Sequence, residues 1–145
     1  LFVGALTMLG SACSYEGDAY VTGVLRSGAE PLENYGNVVH LRAVPDHIDG
    51  FSPSRPYMGD RFLEANCPLD HTEFPVDFIM FGDHSDVVGA PPRWLLLAWV
   101  GDSEDETWIR SGQRYGTATF EFLQGYDTSW ADAIEIELDQ TYGQR

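Results

Sequence analysis

Between Trp94 and Val100 the chain reads Trp-Leu-Leu-Leu-Ala-Trp-Val, an apolar run bounded by a Pro91-Pro92 pair and a Gly101-Asp102 turn. Such a run is too short for a typical helix, and its boundaries are turn formers, so it reads as a strand buried on both faces and belongs at the centre of a sheet. Four acids follow within five residues: Asp102, Glu104, Asp105 and Glu106. From Tyr115 to Phe122, Ala118, Phe120 and Phe122 then alternate with Thr117, Thr119 and Glu121, the pattern of a half-buried partner strand.

Four more segments read as strands. Ala19 to Arg26 alternates small or apolar with polar residues up to a Ser-Gly turn. Asn37 to Val44 places Val39, Leu41 and Ala43 on one face and Val38, His40 and Arg42 on the other, which predicts a solvated His40. Phe74 to Phe81 turns Val76, Phe78 and Met80 inward if Asp77 faces water, and Asp132 to Asp139 sets Ile134, Ile136 and Leu138 against Glu135 and Glu137. The expected core is Val21, Val39, Leu41, Phe78, Leu95, Leu97, Phe120, Phe122, Ile134 and Ile136 or their immediate neighbours, the face of the central strand being the open point.

Pro45, Pro53, Pro56 and Pro68 break the pattern from Pro45 to Glu73, which predicts one long irregular loop with a short helix over Arg61 to Asn66. Asp46, His47, Asp49, Asp70 and His71 match no metal-site spacing and read as solvated loop groups. Asp83, His84 and Asp86 read first as turn formers close to a sheet end. At 145 residues, with 15 Gly and 8 Pro, the chain fits one domain of short strands and turns: an all-β, single-domain antiparallel β-sandwich, Ig-like in outline, of about seven strands.

The formal net charge is -15, from 23 acidic against 8 basic residues, and a field of that sign repels phosphate backbones. Nucleic acid is excluded as a partner. The acidic loop offers a calcium candidate, because Asp102, Glu104 and Glu106 alternate as carboxylate ligands of a hard cation do. The Gly expected after the third ligand is missing, Thr107 and Trp108 standing there, so the favoured reading is a charged hairpin loop without a cofactor.

The first thirteen residues, Leu1 to Cys13, carry no charge, and the acidic Ser-Tyr-Glu-Gly-Asp follows at once. Leu1 to Leu9 has the length of a secretory signal core and is too short to span a bilayer, and Gly10, Ser11 and Ala12 are small residues of the kind found before a cleavage site. The expectation is a signal whose basic leader lies upstream. Small residues ending in Cys13 resemble a bacterial lipobox, in which the Cys is lipidated and begins the mature chain. Gly10 departs from that pattern, since the family prefers Leu there. Ordinary cleavage fits equally, and Cys13 is then free to pair with Cys67, the other cysteine, in an oxidising compartment. The domain plan is thus 1–13 export signal, 14–18 tether and 19–145 sandwich.

The order of a Phe-Pro strand, a Pro-containing turn, an apolar strand carrying Trp94, Leu96, Ala98 and Asp102, an acidic loop, and Gly112, Tyr115 and Gly116 is similar to the prealbumin-like (transthyretin-like) domains of bacterial surface lipoproteins. The resemblance covers about residues 19–139. It implies a cell-envelope binding or structural module, held to the membrane through lipid on Cys13 and facing an envelope component or protein partner. The hydrolase branch of that superfamily ends in Tyr-Arg-Gly-Ser, whereas this chain ends Thr-Tyr-Gly-Gln-Arg, and no Gly-x-Ser-x-Gly or His-Glu-x-x-His is present. The alternative is an exported hydrolase, which requires His47, His71 or His84 to meet a carboxylate and a Ser in a pocket at one end of the sandwich.

Overall fold

The computed structural model describes residues 18–29, 31–32, 35–46, 62–69 and 74–143. In chain order these form β1 (Ala19–Arg26), β2 (Val38–Pro45), β3 (Leu63–Pro68), β4 (Val76–Gly82), a short helix α1 (His84–Val88), β5 (Arg93–Gly101), β6 (Arg114–Glu121), β7 (Leu123–Gln124), β8 (Ser129–Glu137) and β9 (Gln140–Thr141). Two sheets result, ordered β4-β1-β8-β7 and β3-β2-β5-β6-β9. All pairings are antiparallel except β1 with β8, which run parallel. The architecture is a mostly antiparallel, all-β two-sheet arrangement consistent with a sandwich.

Alternation fixes the inner faces. Ala19, Val21 and Leu25 of β1, Phe78 and Met80 of β4, Ala131 and Ile136 of β8, and Val39, Leu41 and Ala43 of β2 share one buried cluster with Phe120 and Phe122, while Ile134 packs partly buried against it. On the central strand β5 the inward set is Trp94, Leu96, Ala98 and Val100. Leu97 and Trp99 point the other way and are buried too, in a second cluster with Ile109, flanked by the half-buried Trp108, Tyr115 and Tyr142. The expected Leu95 and Leu97 are thus replaced in the main core by their neighbours. The outer face of β5 is apolar because the β5–β6 connection folds back over it.

Three expectations are corrected. Leu63 to Asn66, predicted helical, lies in β3, whose register pairs Val39 with Cys67 and Leu41 with Ala65. Leu63, Ala65 and Cys67 are thereby buried in the core while Glu64 and Pro68 stay exposed, the two-residue period of an edge strand. His40, predicted to be solvated, is only 4% exposed. The segment 83–92, read as a turn, holds α1; its first N–H, that of His84, donates to the carboxylate of Asp18, the residue before β1, at 2.6 Å. His47, His71 and the stretch 47–61 lie outside the described residues, as do the export signal and most of the tether.

Candidate functional site

His40 and Arg42 project from β2, and Trp99 from β5, onto the outer face of the five-stranded sheet, where side-chain alternation leaves them opposite the core. Asn66 and Glu64 stand beside them on β3, paired with His40 and Arg42 respectively. The acidic connection after β5 closes over this face. Between connection and sheet lies a pocket of about 590 Å³, with Arg42, Glu64 and Asn66 on one side and Glu104, Asp105 and Thr107 on the other.

Two anchors hold the connection down. His40 stacks on Trp99 with ring centroids 4.8 Å apart and 21° between planes. Its Nε2 lies 2.9 Å from the Ser103 carbonyl oxygen, which can only accept, so this nitrogen carries a proton; Nδ1 lies 2.8 Å from the Asn66 side-chain oxygen, which leaves the Asn66 NH2 free of this contact. One buried ring therefore joins β2, β3 and the acidic loop.

Glu106 is the second anchor. One oxygen accepts from the Asp102 N–H at 2.9 Å and the Arg110 guanidinium at 2.8 Å; the other accepts from the Gln113 amide at 3.0 Å and, at a longer 3.5 Å, from the Trp99 indole. Burial pushes this carboxyl up, but the Asp102 N–H, the Gln113 amide, Arg110 and Trp99 outweigh burial and hold it below the usual glutamate range. A glutamate held low in the fold contributes stability above its ordinary value of about 4.3 and loses it as pH falls through the folded value. Acidification through the lowered folded value is therefore expected to free the connection, read as a red shift of tryptophan emission, and Glu106→Gln is expected to give the same shift at neutral pH.

Gly101 makes room for this arrangement. A Cβ there would sit 2.5 Å from Glu106 Oε1 and 3.0 Å from His40 Cδ2, so the carboxylate occupies space that any other residue would fill. Gly101→Ala is expected to cost about 1–2 kcal/mol by displacing the Glu106 hydrogen bonds, with hydrogen exchange accelerated over 102–109 and unchanged in β1.

Of the calcium candidates, Asp102 and Glu104 are exposed, Asp102 lying 3.5 Å from Arg110, while both oxygens of Glu106 accept bonds from the loop itself. Among the described residues no three metal-ligating side chains converge. Arg42 is fixed by Glu64 at 3.1 Å and lies over the Phe62 and Trp108 rings, its centre 4.8 and 5.6 Å from theirs. Its Nε is buried without a hydrogen-bond partner among the described residues.

His84 Nδ1 lies 2.7 Å from Ser129 Oγ, but Ser129 has no exposed surface, and the nearby Asp18 carboxylate accepts from the His84 backbone rather than its ring. A nucleophile must be reachable and its base oriented by a third group, and these contacts supply neither.

Reading by residue pattern missed His40, Arg42 and Asn66. One signal pointed to them: a central strand apolar on both faces needs a cover on each, and Trp108 and Ile109 just beyond the acids are residues able to supply one. Among the described residues no helix is long and apolar enough to cross a membrane. Comparison with protein-family models, curated proteins and solved structures gives no match to this chain.

Proposed function

We propose that this chain is an exported β-sandwich of the bacterial cell envelope, prealbumin-like in fold, which acts as a non-catalytic binding module through the pocket beneath its acidic loop. The observation that carries the export reading is that Cys67 is disulfide-bonded, since structural disulfides persist in oxidising compartments. The uncharged leader and the acidic composition agree with it. The prealbumin-like reading draws support from the strand order, in which the first long strand pairs in parallel with the last and the second pairs with the central one.

The disulfide also bears on the anchor. The chain has two cysteines, and one thiol cannot be both half of a disulfide and a lipidated thioether. We therefore assign Cys13 as the partner of Cys67 and take cleavage by an ordinary signal peptidase over lipidation. Expression from the full-length gene, followed by non-reducing peptide mapping and intact mass of the mature chain, is expected to give a linked Cys13–Cys67 peptide without acyl mass. An acylated Cys13 would restore the lipid-anchored module, and an uncleaved leader with reduced cysteines would remove the export reading altogether.

A further inference from the structure

We propose that the pocket between the acidic loop and β3 takes a short neutral saccharide; this rests on reading the chain as a binding module. The cavity, about 590 Å³, is of the size ligand pockets have. Its chemistry narrows the occupant. Of the apolar residues lining it, Leu41, Ala65 and Trp99 are already buried against the protein and Pro68 is exposed, so little apolar surface is left for a hydrophobic ligand to cover. An anion meets Glu64, Glu104 and Asp105 around a single guanidinium, in a chain of net charge -15. A simple cation suits the loop side but faces Arg42 on the other. A neutral polyol meets no such conflict, because each hydroxyl both donates and accepts.

The two walls are complementary in that sense. Glu104 and Asp105 on the loop are exposed and have no ion-pair partner among the described residues, and carboxylates accept from hydroxyls. The Arg42 guanidinium and the Asn66 side-chain amide, both lining the pocket from the sheet, can donate to hydroxyl oxygens. Planar guanidinium, carboxylate and amide groups match a pair of neighbouring hydroxyls with two bonds each. Arg42 is also held in place by Phe62, Trp108 and Glu64, so little side-chain freedom is lost on binding.

The test is a titration of the full mature protein, followed by tryptophan fluorescence and calorimetry, with maltose, cellobiose and di-N-acetylchitobiose as neutral probes, and glucosamine and glucuronate as charged ones. Saturable binding of at least one neutral sugar is expected. Asn66→Ala and, separately, the packing-conserving Arg42→Met should each weaken it about tenfold, the loss of one good hydrogen bond to the ligand. Glu104→Gln with Asp105→Asn replaces two carboxylate acceptors by weaker amide ones and should weaken it too, whereas Glu121→Gln, exposed and outside the pocket, should leave it within about threefold. Binding of glucosamine alone, abolished by that double substitution, would overturn the saccharide assignment and leave a cation-binding module. Binding of glucuronate alone would overturn it in the opposite sense. Silence of every probe would overturn both the assignment and the pocket's role, while the mapping of the cysteines decides export independently.

Discussion

Reducing the Cys67 disulfide is expected to lower the thermal unfolding midpoint by about 10 °C, from a loss of about 2–4 kcal/mol in a domain of this length. The expectation follows from where Cys67 sits. It lies on β3, which ends the five-stranded sheet and pairs with β2 among the described residues. The strand is only six residues long, and the Cys67 side chain, only 7% exposed, is part of the core. A covalent link there removes conformations from the unfolded chain and ties down an edge. The consequence reaches the pocket, because the neighbouring Asn66 holds His40 and forms its wall. Melts of the oxidised protein, the reduced protein and Cys67→Ala, followed by circular dichroism, check this: the last two should coincide well below the first. Coincidence of all three would mean that the bond contributes nothing to stability.

Several strands were legible because their burial is periodic. Ala19 to Arg26 is bounded identically by sequence pattern and by structure, and Phe120 and Ile136 fall inside the core as their alternation requires. Two features were not legible, for physical reasons. On β5 every side chain from Trp94 to Val100 is apolar, so no alternation marks which half faces the other sheet. The choice is made by the segment after the acids, whose Ile109 and Trp108 cover Leu97 and Trp99. Leu63 to Asn66 contains Leu, Glu and Ala, good helix formers, but pairing with β2 outweighs local preference.

His40 shows the same limit at the candidate site. Its position on the polar face of β2 was read correctly from alternation, yet burial of that face depends on a loop that begins more than sixty residues later, at Ser103. The acids were legible as a loop and illegible as a cover. Glu106, in particular, resembles its acidic neighbours in sequence but serves the loop's own donors, while Glu104 and Asp105 remain turned to solvent. What separates them is Gly101 and Gln113, residues that no spacing rule connects to a carboxylate.

Gly23→Ala is expected to destabilise the fold by about 3 kcal/mol, the upper end for adding a methyl group to a packed interior. Gly23 lies in β1 where its parallel partner β8 bulges: Val21 pairs with Ala131 but Gly23 with Ile134, so β8 spends one residue more than β1. Ala133 takes a left-handed φ of 61° at that point, a conformation unfavourable for a residue with a Cβ and one that the surrounding pairing has to enforce. A Cβ on Gly23 would collide with the Ile134 carbonyl and come within 2.7 Å of the Phe78 ring. The ring can turn aside, but the carbonyl belongs to the bulged backbone and has no room to retreat without breaking the β1–β8 ladder. This gives the prediction a specific shape. Phe78→Leu, which clears the ring, should recover at most about 1 kcal/mol in the Gly23→Ala background, because the backbone collision remains. Urea unfolding of the single and double variants measures both quantities. A loss below about 1 kcal/mol for Gly23→Ala, or full recovery on adding Phe78→Leu, would show that β8 does not bulge against Gly23 and that the β1–β8 register is different.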